Sequence, residues 1–479
     1  MTGNARSILA NTSYRVIADV TAKAASVVLY VVMARQLGAA DFGVFAFGLA
    51  FVTLITVFAD FGQDAILTRE VARDHRRVNG YFANTIVLKL GLALPALAVS
   101  IAILTAVAEP QTRNVAALLG LAVVAEQLMA TCFATFQSYE RLVYIPAALV
   151  TQRFLMTGVG CVALLRGADV EAVALIYLAC ALVALCVALW LLFTRVVRPT
   201  MRITPRTWRG LMVAALPVGL AAVFAIVLFR ADMALLAAIV SADDVGEYAA
   251  AYRLFEATLF LSWGVGAAVY PVYSRLGPTA SASILVVFER SLKLVVALTL
   301  PLAAGAAIFA DSIVNLLYGS DYEASSEALA LLAPAIALYP VAYLSALLLV
   351  SQNRQRVLAP LYGVVAAEDI LLNLVLISAL SLYGAAFGTS LSQLLVTVPL
   401  LVLSSRALGQ LDWLRMFAGP VVAVAAATLV AYALRNEFSF AVLAMATAYG
   451  AALYAFERLV FPGDAEIVTR LVPRRSAKR

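Results

Sequence analysis

The chain has 479 residues, of which 64% are hydrophobic and only 13% are charged, and its mean hydropathy is +0.96. Soluble proteins carry about 25% charged residues, so this composition excludes a soluble globular protein and indicates an integral membrane protein. The net charge of +6 does not indicate nucleic-acid binding, because the excess Lys and Arg lie in loops that can face anionic lipid headgroups. The four cysteines lie within apolar runs and there is one histidine, so no metal site and no cofactor are expected.

Fourteen stretches approach the roughly 20 mostly apolar residues that a membrane-spanning helix needs. The predicted spans are 13–36, 43–64, 81–107, 115–137, 144–165, 170–194, 211–240, 248–272, 287–310, 325–350, 357–380, 384–405, 414–434 and 439–457. The sequence therefore predicts an all-α, polytopic membrane protein.

Two turn sequences indicate an internal duplication. The stretch Leu211–Glu256 holds two apolar helices that carry charges, and Ser241–Tyr248 is predicted to be the turn between them. A similar turn, Gly38–Phe45, lies near the N-terminus. At an offset of 203 residues, the identities pair Ala39 with Ala242, Asp41 with Asp244 and Gly43 with Gly246. This match in context favours two related lobes.

The loop charges predict the orientation. With the N-terminus in the cytoplasm, 24 of the 28 Lys and Arg residues in loops lie on the cytoplasmic side and 4 on the outer side. Cytoplasmic loops are enriched in Lys and Arg, so both termini and the basic Arg195–Arg209 loop are predicted to be cytoplasmic.

The remaining six of the 34 cationic residues lie within predicted spans, where a charge costs about 2.5–3.5 kcal/mol. They are Arg15, Lys23, Lys89, Arg153, Arg230 and Arg253, and the acids at similar depth are Asp19, Asp60, Glu126, Asp232, Glu256, Glu368 and Asp369. Arg15, Asp19 and Lys23 recur every four residues and share one helix face. Two interpretations remain: an ion-pair ladder that stabilises the bundle, or a cationic cavity for an anionic substrate.

Several short motifs carry a family resemblance. They are the charged first span, the G-A-A-D-F-G-V-F turn, R-A-D followed by V-G-E-Y-A-A-A-Y-R-L, Y-P-V-Y-S-R at Tyr270–Arg275, and L-Y-G-S-D-Y at Leu317–Tyr322. With them the chain resembles the polysaccharide transporter family, the Wzx-like bacterial flippases for lipid-linked O-antigen, capsule and exopolysaccharide units. That family lies in the MOP flippase superfamily, together with lipid II flippases and MATE drug exporters.

The resemblance implies two pseudo-symmetric six-helix lobes around a central cavity, with two further helices at the C-terminal end. It divides the chain into an N-terminal lobe (1–194), a basic cytoplasmic linker (195–209), a C-terminal lobe (210–405), and helices 13 and 14 with a basic tail (406–479). Such a flippase would move an undecaprenyl-pyrophosphate-linked oligosaccharide across the bacterial inner membrane by alternating access. Its partners would be membrane lipids and the glycan polymerase or export machinery.

The intramembrane charges receive two roles in this interpretation. The six cations form the candidate substrate-binding set. Guanidinium groups bind phosphate in a bidentate manner, and lysine ammonium groups attract it as point charges. Coupling to protons or sodium ions is assigned to carboxylates, and the candidates are Asp60, Glu126, Glu368 and Asp369. Glu368 and Asp369 are adjacent in one predicted span and face about 100° apart, so at least one is expected to face a cavity or a polar neighbour.

Other functional classes are less compatible with the sequence. A membrane glycosyltransferase or polymerase would carry a long outer loop with paired acids, and the outer segment around 311–324 has no such cluster, so an enzyme is not expected. A channel would show a repeated filter or a ring of charges. The stronger alternatives are a lipid II-type flippase and a MATE-type drug/cation antiporter. An acidic cavity is expected for the antiporter, because it would bind cationic drugs.

Overall fold

The architecture is all-helical, as predicted. The computed structural model describes the backbone of residues 2–200, 202–276, 281–434 and 437–461, and the side chains of these ranges from residue 21 onward, except 281 and 282. Within these ranges there is no β-strand. The helices are α1 (Thr2–Asp60), α2 (Gln63–Arg73), α3 (Val78–Val107), α4 (Pro110–Ser138), α5 (Tyr144–Leu165), α6 (Val170–Leu191), α7 (Trp208–Ile239), α8 (Ala242–Leu276), α9 (Ser281–Ile308), α10 (Ala310–Leu317), α11 (Glu323–Ser351), α12 (Leu358–Leu408), α13 (Trp413–Ala433) and α14 (Phe438–Val460).

Two of these helices are too long for a single membrane crossing. Helix α1 has 59 residues and α12 has 51, whereas a bilayer core of about 30 Å needs only about 20 residues of helix. Each contains one residue with non-helical geometry, Gly38 (φ 78°) in α1 and Ser381 (φ 51°) in α12. Both residues have the positive φ that reverses a chain tightly.

The chain folds back at both breaks. The ring centroids of Tyr30 and Phe42 lie 6.4 Å apart, although twelve residues of straight helix would separate them by about 18 Å. Gly384 packs directly against the carbonyl oxygen of Leu376, eight residues earlier, where a straight helix would place about 12 Å between them. Each long helix is therefore two helical segments joined by a sharp reversal.

Twelve of the described helical segments are long and apolar enough to cross a membrane. Two of them, 21–73 and 355–408, contain the reversals at Gly38 and Ser381. The reversals fall between predicted spans 13–36 and 43–64 and between 357–380 and 384–405. The protein is thus a multi-pass membrane protein, while the count of fourteen spans stays a prediction.

One predicted turn is wrong in extent. Residues 241–248 were expected to connect the seventh and eighth spans, but α8 already begins at Ala242 and only Val240 and Ser241 separate it from α7. The Ser241 hydroxyl accepts a hydrogen bond from the backbone N–H of Asp244 (3.3 Å), and Asp243 and Asp244 occupy the first turn of α8. Polar and acidic residues there stabilise a helix start, which resembles a turn in sequence.

The two repeat-related glycines pack reciprocally where α1 meets α8. A Cβ on Gly43 would collide with the carbonyl oxygen of Ala242, and a Cβ on Gly246 would collide with that of Ala39. These are the same positions that the 203-residue offset equates. The two segments therefore meet around a local two-fold relation, with backbones in direct contact because neither glycine has a side chain.

The basic linker between α6 and α7 is held against α3. The Asn79 side chain accepts a hydrogen bond from the backbone of Thr200 (2.8 Å). The Asn84 side chain accepts from the backbone of Thr204 (2.8 Å) and from the indole of Trp208 (2.7 Å), and it donates to the Arg202 carbonyl (3.1 Å). The linker is thus anchored to the N-terminal part of the chain.

Helices α13 and α14 pack beside α9. Lys293 of α9 forms a 2.5 Å ion pair with Glu457 of α14. The Tyr449 hydroxyl donates to the Ala297 carbonyl (2.8 Å), and the rings of Phe309 and Phe438 lie 5.7 Å apart. The last helix pair is therefore attached to the body of the protein, and the division into two lobes and a terminal pair stays a prediction.

Candidate functional site

A cavity of about 850 Å³, lined by charged as well as apolar side chains, lies between α1, α4, α5, α6, α7, α8 and α11. Its charged lining residues are Lys23, Glu126, Arg153, Arg230, Arg253 and Glu256. Four of the six cations predicted from the sequence are thus brought together in one cavity. Among the side chains that the structure describes, four basic groups face two carboxylates, so two positive charges are in excess.

Glu256 joins two of the arginines. Its carboxylate lies 3.1 Å from a guanidinium nitrogen of Arg230 and 2.5 Å from one of Arg253. Arg253 and Glu256 are three residues apart on α8 and share a face, whereas Arg230 reaches them from α7. One carboxylate neutralises only one of the two arginines, so this cluster remains cationic.

Glu126 organises the opposite part of the wall. It accepts hydrogen bonds from the Gln152 side chain (2.5 Å) and the Tyr177 hydroxyl (3.0 Å). Arg153, one residue beyond Gln152, lies beside Tyr177 and Glu126. This arrangement holds Arg153 in the wall with one nearby carboxylate.

Two of the cavity cations, Lys23 and Arg253, also contact aromatic rings of the opposing helix. The Lys23 ammonium of α1 lies 4.9 Å from the centre of the Trp263 ring of α8. The Arg253 guanidinium of α8 lies 4.2 Å from the centre of the Tyr30 ring of α1. We call these two contacts the crossed pairs. Each is a cation–π interaction, worth about 0.5–2 kcal/mol according to its exposure.

Lys89 lies outside this cavity, contrary to its expected place among the substrate-binding cations. Its side chain is only 1% exposed, and its ammonium lies 2.7 Å from Asp60, 2.6 Å from Asp64 and 3.1 Å from the Gln127 carbonyl. The sequence showed no acid within helical reach on its own helix because both partners lie on other helices, α1 and α2. Lys89 is therefore the centre of a buried ion-pair cluster.

Asp60, a further candidate, is not among the residues that line the cavity. Asp60 is bound to Lys89, as described above, and its side chain is 37% exposed. Arg15 lies outside the side chains that the structure describes. Their assignments as a coupling group and a substrate-binding residue stay predictions.

Glu368 and Asp369 belong to a second polar cluster between α7, α8 and α12. Asp369 is 3% exposed and lies near Asp232, which accepts a hydrogen bond from the Tyr248 hydroxyl. Asn373 is fully buried and donates to the Asp369 carbonyl oxygen (2.9 Å). One carboxylate oxygen of Asp369 and the amide oxygen of Asn373 have no hydrogen-bond partner within 3.5 Å among the described atoms, and the Ser392 hydroxyl lies beside the Asp369 carboxylate.

The aromatic residues of the cavity were not predicted from the sequence, although a signal was present. Tyr30 follows Lys23 by seven residues, and Trp263 follows Glu256 by seven, so each shares a helix face with a charged residue already singled out. Tyr177 had no comparable signal, because the charged groups beside it come from α4 and α5.

Comparison with known proteins decides the family. Residues 8–277, more than half of the chain, match the model of the polysaccharide biosynthesis protein family. The chain belongs to this family. The expected resemblance is therefore confirmed.

A curated relative supports the assignment to the polysaccharide biosynthesis family. The chain is 24% identical over 372 residues to the "Probable low-salt glycan biosynthesis flippase Agl15" of Haloferax volcanii, and the match covers 76% of each protein.

Solved structures show that this family member has the MOP superfamily fold. The lipid II flippase MurJ in an inward closed conformation aligns with a TM-score of 0.77 at 13% identity, over 92% of this chain and 98% of MurJ. An inward-facing MATE multidrug transporter aligns with a TM-score of 0.64 at 14% identity, over 81% of this chain and 94% of the transporter. A MOP transporter from Pyrococcus furiosus is described as having a binding pocket of reverse polarity. It aligns with a TM-score of 0.62 at 14% identity, over 83% of this chain and 95% of that transporter.

Proposed function

We propose that this protein is a flippase that moves a lipid-linked oligosaccharide across the membrane by alternating access. The observation that carries the proposal is the 850 Å³ cavity with two positive charges in excess. Its volume falls in the range of about 300–1,000 Å³ typical of sites that enclose a compact ligand. The family assignment and the glycan flippase Agl15 as a relative support this function.

The substrate proposed is an undecaprenyl-pyrophosphate-linked O-antigen, capsule or exopolysaccharide unit in the bacterial inner membrane. A diphosphate carries at least two negative charges and so matches the excess in the cavity. Arg230 and Arg253 offer planar guanidinium groups that bind phosphate oxygens in pairs. The lipid tail stays in the bilayer and the sugars occupy the cavity. Both termini face the cytoplasm, where polymerase or export proteins can act with the flippase.

For coupling, the cluster around Asp369 is the best-supported of the candidate groups. A buried carboxylate oxygen and a buried amide oxygen without partners suit a proton or a sodium ion, since an unsatisfied buried polar group is costly. Asp232 adds a second carboxylate nearby. Glu126 and Asp60 are less suited, because Glu126 is hydrogen-bonded in the cavity wall and Asp60 is paired with Lys89.

A test reconstitutes the protein in vesicles that contain a fluorescent undecaprenyl-pyrophosphate-linked oligosaccharide. Flipping is measured as the fraction of label that a membrane-impermeant quencher cannot reach. We expect Arg253→Gln and Arg230→Gln each to slow flipping at least tenfold, because Glu256 then lacks one partner and the phosphate loses a guanidinium. Arg354→Gln, an exposed loop arginine, is the matched control and should flip normally.

The drug/cation antiporter is the alternative that the same experiment addresses. A cavity for cationic drugs is expected to be acidic, whereas four bases face two acids here. If the vesicles export ethidium in exchange for cations and do not flip the glycolipid, the flippase proposal is wrong.

A further inference from the structure

The crossed pairs join α1 to α8 in opposite senses. In one, α1 supplies the cation and α8 the ring; in the other, α8 supplies the cation and α1 the ring. All four residues line the cavity. The two contacts therefore tie the same two helices together across the space in which a substrate would sit.

We propose that Tyr30 and Trp263 compete with the substrate's phosphate for Arg253 and Lys23, so that phosphate binding releases α1 from α8. This inference rests on the proposed function and adds a way for the headgroup to loosen the structure that binds it. The ligand chemistry required is a phosphate or diphosphate ester. An uncharged sugar has no negative charge with which to compete against the aromatic rings for Lys23 or Arg253.

The physical basis is the difference in strength between two kinds of contact. A ring attracts a cation only through its quadrupole, whereas a phosphate attracts it through full charge and hydrogen bonds. Lys23 has no carboxylate within 4 Å among the described residues, so the Trp263 ring is the partner that a phosphate displaces. Arg253 also contacts Glu256. Its guanidinium has five N–H donors, so it can keep that contact and still turn from Tyr30 to a phosphate.

Trp263 is placed to report such an exchange. Its indole N–H donates to the Tyr339 hydroxyl (3.1 Å), which fixes the ring. Trp263 is 37% exposed and is one of the residues that line the cavity. The chain has three other tryptophans, Trp190, Trp208 and Trp413. A variant with these three replaced by Phe has one fluorophore, which lies under the Lys23 ammonium.

The first experiment titrates this single-tryptophan protein with inorganic pyrophosphate at constant ionic strength. We expect a saturable change in Trp263 emission as the ammonium leaves the ring, and no change with sodium chloride. Adding Lys23→Met to the same background should abolish the change. Thermal unfolding of each variant shows that the protein is folded.

The second experiment uses Tyr30. If its ring competes with phosphate, Tyr30→Leu should bind pyrophosphate about two- to fivefold more tightly by calorimetry, which corresponds to the loss of one cation–π contact. Tyr30→Phe keeps the ring face and should bind as the unaltered protein does. A ring that only supports the fold would give unchanged or weaker binding in Tyr30→Leu.

The outcomes separate this inference from the proposed function. If pyrophosphate binds but neither the Trp263 emission nor the affinity of Tyr30→Leu changes, or if the emission change persists with Met at position 23, the competition is wrong and the flippase stands. If pyrophosphate does not bind and glycolipid is not flipped, the proposed function itself fails.

Discussion

Gly43 and Gly246 pack against the backbones of each other's helices, and the repeat offset equates them with each other. The contact is reciprocal: the first meets the carbonyl of Ala242 and the second meets that of Ala39. The two segments that the offset relates thus form an interface with each other. Each glycine leaves room for the backbone of the opposite segment.

A methyl group at either glycine should destabilise the protein. Gly246→Ala places a Cβ against the Ala39 carbonyl, and overpacking of this kind costs about 1–3 kcal/mol. We expect a lower midpoint of thermal unfolding in detergent. Gly305→Ala is the matched control, because a Cβ there meets nothing within 4 Å. Equal unfolding temperatures for the two variants would contradict the close contact.

The cationic residues should separate into two groups by their effect on stability. Lys89→Met leaves Asp60 and Asp64 without their shared cation, and breaking a buried pair costs about 3–5 kcal/mol. Protein abundance in membranes should therefore fall strongly. Lys23→Met removes a cation that is not paired with any described carboxylate, and should lower glycan export at near-normal abundance. The prediction fails if Lys89→Met accumulates normally and only export is lost.

The sequence located most membrane segments because long apolar runs are sufficient to identify them, including the pairs that meet at Gly38 and Ser381. It misplaced the turn at 241–248 because Ser241 and the acids after it serve as a helix start. It placed Lys89 among the substrate-binding cations because its partners, Asp60 and Asp64, lie on α1 and α2 and are not apparent from its own helix. Contacts between helices depend on how the helices pack, which hydropathy does not encode.

The orientation can be tested with reporter fusions. Of the 28 loop cations, 24 lie on the side that we assign to the cytoplasm, so fusions at Arg209 and Arg479 should both report a cytoplasmic location. A reporter that is active in the cytoplasm and one that is active outside should give opposite signals at each site. A periplasmic signal at either site would exclude the fourteen-span arrangement.

The coupling proposal predicts different effects for two adjacent carboxylates. Asp369 is 3% exposed beside the unpartnered amide oxygen of Asn373, so Asp369→Asn should reduce the dependence of transport on a proton or sodium gradient at least tenfold. Glu368→Gln should have a smaller effect, because Glu368 is only half-buried. Transport in vesicles with imposed gradients measures both, and binding of pyrophosphate should survive in each. Unchanged gradient dependence in both variants would transfer the role to Glu126 or Asp60.

The anchoring of the basic linker has a consequence for how the protein moves. Asn79 and Asn84 hold the linker to α3 as far as the Trp208 indole, and α7 begins at that same residue. The linker is therefore held by hydrogen bonds up to the residue at which α7 begins. In the alternating-access cycle that we propose, rotation of the C-terminal part would therefore occur at the first turn of α7, beside the point where Asn84 holds the Trp208 indole.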